Sequence, residues 1–159
     1  MQSKLTLLAT GIMALMLTCT AHSQTTTETA KPQFDAELAK TVGADEYGMK
    51  HYVMVLLKTG PNKMPAGKER DAMFAGHFAN IKRLAADGKL ALAGPFDGVD
   101  GWRGMFILAV ADIDEAKKLV VTDPVISNGE MVAEYHKYYG SAALMMVNEA
   151  HGKLAKKSF

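Results

Sequence analysis

"ERDAMFAGHFANIKRLAADGKLALA", Glu69 to Ala93, changes its hydrophobic period in mid-course. From Glu69 to Ala86, Met73, His77, Ile81 and Leu84 recur at 3.6-residue spacing with Phe74 and Phe78 beside them, the pattern of a helix with one buried face. Asp87-Gly88 closes that helix, and Leu90–Ala93 is short and apolar, as a buried strand is, until Gly94-Pro95 stops it. A helix feeding a strand through a glycine turn is the second half of a β-α-β unit. One position of the apolar stripe is a histidine, which needs a separate explanation.

Working outward, "HYVMVLLK" (51–58) is a strand that ends at Thr59-Gly60-Pro61-Asn62 and completes the first unit. Downstream, "FDGVDG" (96–101) is a turn. It lacks calcium-loop spacing, and no helix follows it to cradle a phosphate. "WRGMFILAV" (102–110) is a third strand. Asp112 is then placed to cap a helix, with Glu115 three residues on and Ile113, Ala116, Leu119 and Val120 as its inward stripe. After Thr122-Asp123-Pro124 a helical turn runs to Gly129, and "MVAEYHKYY" (131–139) is a fourth strand. The order βαβ–βαβ predicts an α+β, ferredoxin-like plait: four antiparallel strands with both helices on one face. Because the first strand is apolar on both sides, the other face needs a cover. A second copy of the sheet is the expected one, which predicts a homodimer.

The ends have a different character. Lys4, the apolar run Leu5–Leu17 and the small residues of Ala21-His22-Ser23 read as a signal peptide over residues 1–23, cleaved after Ser23, so a periplasmic or secreted protein is expected. The run is too short to span a bilayer. Lipidation at Cys19 is the rival reading, for which Met16 and Thr18 fit poorly. Residues 24–47 read as a polar spacer and a short helix, Phe34–Val42, closed by Gly43. Residues 48–142 form the domain, and residues 143–159 a helical tail. Cleavage would remove Lys4 alone of the formally charged residues, leaving basic and acidic residues balanced, which argues against a nucleic-acid partner. It would also remove Cys19, the sole cysteine, and with it any disulfide, thiol nucleophile or thiolate metal site.

Four features in order, "GHFANIKRLAADGKLALAGPF", the "EA" helix, "DP" with a following glycine, and "EMVAEYHKYYG", resemble the YciI-like (YCII-related) family across residues 50 to about 142. "GADEYGMK" and "GSAALM" resemble a secreted branch of it. The resemblance implies a dimeric α/β-barrel of ferredoxin-like subunits. It also implies a His–Asp pair in a pocket beneath the helices, which falls on His77 and Asp123, with Gly94-Pro95 shaping the adjacent loop. Most of that family has no established activity; one branch removes chloride from chlorinated hydroxyhydroquinones.

Each candidate has a structural reading beside the functional one. His77 is either a core histidine with satisfied nitrogens or a general acid/base whose ring is oriented by a partner. Asp123, before Pro124, is a natural N-cap, a role compatible with orienting a histidine. Gly94 and Pro95 mark a strand end and are the ligand-binding candidates of the loop. Trp102 and Arg103 either line the pocket and bind an anion or form a rim pair. His51 and His136, on strands expected to be neighbours, with Glu134 or His151, are candidates for zinc or copper, without a local ligand motif. Tyr135, Tyr138, Tyr139, Met145 and Met146 read as packing residues. The expectation is a small-molecule enzyme doing lyase, isomerase or dehalogenase-type proton transfer, with no metal or redox cofactor required and no membrane partner after cleavage. A non-catalytic binding module or a ligand-free structural dimer are the alternatives.

Overall fold

The computed structural model describes residues 33–157. The segment expected to be a signal peptide, with Cys19, and most of the expected polar spacer lie outside the described residues. The elements are α1 (Ala36–Val42), β1 (Met49–Thr59), α2 (Lys68–Ala86), β2 (Leu90–Pro95), β3 (Trp102–Leu108), α3 (Ile113–Val120), α4 (Pro124–Ser127), β4 (Met131–Ser141) and α5 (Val147–Leu154), with 3₁₀ turns at Val99–Gly101 and Ala142–Met146. The four strands form one antiparallel sheet in the order β2-β3-β1-β4, which is the ferredoxin-like plait.

Local chemistry accounts for the boundaries. Asp35, Asp112 and Asp123 cap α1, α3 and α4, their carboxylates accepting from the backbone N–H of Leu38, Glu115 and Val125. Gly43 ends α1 with a left-handed backbone, and Gly88 follows α2 with φ +67°. Strands β1 and β4 pair from Met49↔Ser141 to Thr59↔Met131, longer than their apolar runs. Two polar ties extend them: the Asp45 carboxylate accepts from Met49 N–H at 2.9 Å, and Ala142 N–H donates to the Gly48 carbonyl at 2.9 Å.

The sheet separates two cores. On the helix side, Val53, Val55, Leu57, Phe106 and Leu108 pack against Met73 and Leu84 of α2, Ala116 and Val120 of α3, and Val125 of α4. The innermost line of α2 is Met73, His77, Asn80 and Leu84. Asn80 takes the deep position expected for Ile81 because polar partners from the neighbouring turn lie beneath it.

On the opposite face Tyr52, Ala91 and Ile107 are buried, and Leu144 and Met145 pack over them. The tail is held there by Asn148, whose side chain donates to the Leu90 carbonyl at 2.7 Å, and by the Tyr52 hydroxyl, which donates to the Ser141 carbonyl at 3.0 Å. The chain's own C-terminal segment thus covers part of the face for which a second copy of the sheet is the expected cover. Val132 and Tyr138 on β4 stay exposed.

Candidate functional site

His77 sits midway along α2 on its buried side, and its Nδ1 lies 2.8 Å from Oδ2 of Asp123. What brings them together is a close approach between two helices. Gly76 faces Pro124, and a Cβ there would come within 2.9 Å of the proline Cγ. The missing side chain lets α2 settle against the start of α4, which places His77 over the cap residue.

Asp123 is fully buried, and three donors converge on it. Oδ1 accepts from Val125 N–H at 3.1 Å; Oδ2 accepts from the His77 ring and, at 3.2 Å, from the Asn80 amide nitrogen. A carboxylate can only accept, so the proton of that contact belongs to Nδ1, and in the neutral ring Nε2 holds the lone pair. Asn80 is oriented in turn: its Oδ1 accepts from Arg83 Nη2 at 2.8 Å and lies 3.1 Å from the Thr122 hydroxyl. Arg83 also donates to Thr122 Oγ1 and pairs with Asp87. The dyad thus rests on a polar relay that begins at the protein surface.

Around the imidazole are the rings of Phe74, Phe78 and Phe106, with centroids at 6.2, 5.4 and 6.1 Å. They share with His77 a cavity of about 360 Å³, within the usual range of small-molecule sites. Gly104 lines it too, at a point where β2 and β3 approach closely. It stands opposite Leu57, and even one added Cβ would lie 2.7 Å from the Gly94 carbonyl oxygen. With Nδ1 committed to Asp123, Nε2 is the ring nitrogen available to a molecule held here.

Of the other candidates, Gly94, Pro95 and Arg103 line this cavity and Trp102 does not. Trp102 pairs in register with Lys58, whose Nζ lies 4.2 Å from the indole centroid. Both belong to the far side of the sheet, where a broader groove of about 660 Å³ also involves Leu56, Phe96 and Asp97. Trp102 and Arg103 are parted because the register slips by one residue between Leu57 and Lys58, so that they serve opposite faces. His51 and His136 do not meet either. His51 stands opposite Tyr139 and His136 opposite Met54, an odd separation along β1 that puts them on opposite faces. His136 Nε2 lies 2.8 Å from Glu134, and His51 stacks on Tyr139 at 4.8 Å. Among the described residues, no three His, Cys, Asp or Glu side chains are grouped to hold a metal ion.

Sequence reasoning missed Gly76, Asn80, Arg83 and a second buried acid, Glu130. Glu130 is 1% exposed and accepts from Arg70 Nη2 at 2.8 Å and from Met64 N–H at 2.7 Å, tying the β1–α2 loop and the start of α2 to the start of β4. Burial pushes its carboxyl up. The hydrogen bonds from Arg70 and Met64, with the charges of Arg70 and Arg103, outweigh that and hold it below the ordinary range. A mid-helix glycine and a polar residue one place off the apolar stripe were the available signals for Gly76 and Asn80.

No curated protein matches the chain. The family model of the YCII-related domain matches residues 51–136, from the beginning of β1 to the middle of β4, and this segment holds the dyad and the described residues that line the cavity. That match covers more than half of the sequence, and the chain belongs to the YCII-related domain family.

Proposed function

We propose that the protein is a small-molecule enzyme in which His77 moves a proton through Nε2 while Asp123 holds the ring. The observation that carries this reading is the buried 2.8 Å contact between Nδ1 and a carboxylate that is itself fixed by two further donors. Such an arrangement fixes the tautomer and supports the imidazolium formed when Nε2 accepts a proton. In a lyase, isomerase or dehalogenase-type step, Nε2 takes a proton from a carbon or oxygen acid bound in the cavity. The electron pair left behind reorganises within the substrate, and the same nitrogen returns the proton to a second position or to the leaving group. The aromatic walls keep water from competing for it.

Two further parts of the proposal rest on other features. The amino-terminal pattern of Lys4, the apolar run and Ala21-His22-Ser23 supports export to the periplasm or beyond, as a member of a secreted branch. The exposed Val132 and Tyr138, beside a face that the tail covers only in part, support a homodimer through the sheet. Fractionation of cells expressing the full chain checks the first, and light scattering at micromolar concentration the second.

The direct test is proton exchange. The wild-type protein is incubated in D₂O with a panel of carbonyl carbon acids and followed by ¹H NMR. Deuterium incorporation into at least one of them is expected, falling by about 100-fold or more in His77→Gln. No incorporation with any panel member, or equal incorporation by the variant, would sink the acid/base reading in favour of a binding module.

A further inference from the structure

We infer that the molecule this cavity takes is a carboxylate with an apolar body, and that Arg103 is the residue that reads its charge. The inference rests on the cavity being a ligand site, and it names the ligand class. Three observations carry it.

The first is an imbalance of charge. Among the described residues that line the cavity, Arg103 contributes a guanidinium and His77 an imidazole, and none contributes a carboxylate. Among the described residues, the buried acids nearby are committed elsewhere: Asp123 to His77, Asn80 and Val125, and Glu130 to Arg70 and Met64.

The second concerns Arg103 itself. Its side chain is half-buried, and among the described residues its guanidinium makes no hydrogen bond or ion pair. It feels Glu130 only through space, across a carboxylate already held by Arg70. A guanidinium partly withdrawn from water against apolar walls, with five donors and no acceptor, is stabilised by an anion that fills its fork.

The third is the backbone that presents it. Along β1 and β3, Leu57 pairs with Gly104 and Lys58 with Trp102, so Arg103 is the extra residue of a β-bulge. Bulges re-aim a side chain, and this one sends Arg103 into the His77 cavity while its neighbour Trp102 belongs to the opposite face. The rest of the lining, Phe74, Phe78, Ile81, Phe106 and Met131, is apolar or aromatic and suits a hydrocarbon body. A planar carboxylate matches the guanidinium fork through two parallel hydrogen bonds, which a neutral amide cannot do.

The test measures binding of three carboxylates (benzoate, cyclohexanecarboxylate and 3-phenylpropanoate) and of their primary amides to the intact protein. Titration calorimetry and the shift of the His77 ring signals in NMR are the readouts. At least one carboxylate is expected to bind about tenfold or more tightly than its amide. Arg103→Gln should remove that ratio without changing amide affinity, and Arg103→Lys should restore only part of it. Circular dichroism and the urea midpoint of each variant check that the fold is intact. Equal affinity for every acid–amide pair, an undiminished ratio in Arg103→Gln, or no binding of any compound up to about 10 mM would each overturn the inference. The acid/base reading fails separately: His77→Gln is expected to keep carboxylate binding even where it abolishes proton exchange.

Discussion

Two histidine–carboxylate pairs among the described residues, one on each face of the sheet, have the same separation and opposite characters. His77 and Asp123 lie 2.8 Å apart on the helix side, with side chains 10% and 0% exposed; His136 and Glu134 lie 2.8 Å apart on the other face, with side chains 44% and 46% exposed. The buried carboxylate is a helix cap, fixed by a backbone amide and by an asparagine. The exposed one is two residues from its histidine on the same strand, and shares itself with Lys58 at 2.9 Å. Distance alone does not separate a site from a surface pair. What separates them is whether the acceptor has an alternative in water, and whether the ring borders a cavity.

Removing each carboxylate exposes the difference most strongly. Asp123→Ala leaves the His77 Nδ1–H, the Asn80 amide and Val125 N–H buried without an acceptor and uncaps α4. It is expected to lower the unfolding free energy by about 3 kcal/mol or more in urea titrations. Asp123→Asn keeps the shape and should cost less stability, but it no longer fixes the tautomer, so proton exchange should fall nearly as far as in His77→Gln. Glu134→Ala, with water ready to replace it, should lower the urea midpoint only slightly and leave the exchange rate unchanged. Equal destabilisation of the two alanine variants would mean that burial does not distinguish the pairs.

A smaller effect tests what brings the buried pair together. Gly76→Val places a side chain where even one Cβ would lie 2.9 Å from Pro124, and the overpacking is expected to cost about 1–3 kcal/mol. Its more telling consequence is local. As α2 is pushed from α4, the low-field Nδ1–H signal of His77 should weaken or disappear, while the signals of His136 stay in place. An unchanged His77 signal would mean that Gly76 is not what permits the contact.

These residues show how far the sequence could be read. The plait followed from two strand–helix–strand periods, and Asp123 as a cap from the proline after it, because both are local patterns. The family likeness then pointed from His77 to Asp123. Asn80 was hidden because helical periodicity ranks positions by apolarity, and a buried asparagine is affordable only beside partners forty residues away. Trp102 and Arg103 were joined because they are adjacent. Register and a bulge, which depend on the partner strand, send one to each face. Glu130 was invisible because its cost of burial is offset by Arg70, sixty residues earlier, and by a loop amide. The tail's return over Tyr52 and Ile107 was unforeseen because a short run of small residues and methionines gives no direction of packing.

The mildest experiment compares the two faces by acid and salt. Glu130 and Glu134 both have carboxyl groups held below the ordinary 4.5. Burial alone would raise Glu130, and the Arg70 and Met64 hydrogen bonds reverse it; for Glu134 the cause is the hydrogen bonds from Lys58 and His136. A group with a depressed folded pKa contributes stability that is fully present above its unfolded pKa and is lost as pH falls through the folded value. Both contributions should therefore be complete at neutral pH and decline on acidification below about 4.5. Salt separates them. The Lys58–Glu134–His136 group is solvated and screened, whereas Glu130 is 1% exposed against its arginine. In Glu134→Gln the acid limb of stability against pH should match wild type once salt is raised to about 1 M. Glu130→Gln should flatten that limb at every ionic strength, and a limb in Glu130→Gln that depends on salt as the wild type's does would place the acid-sensitive carboxylate on the exposed face instead.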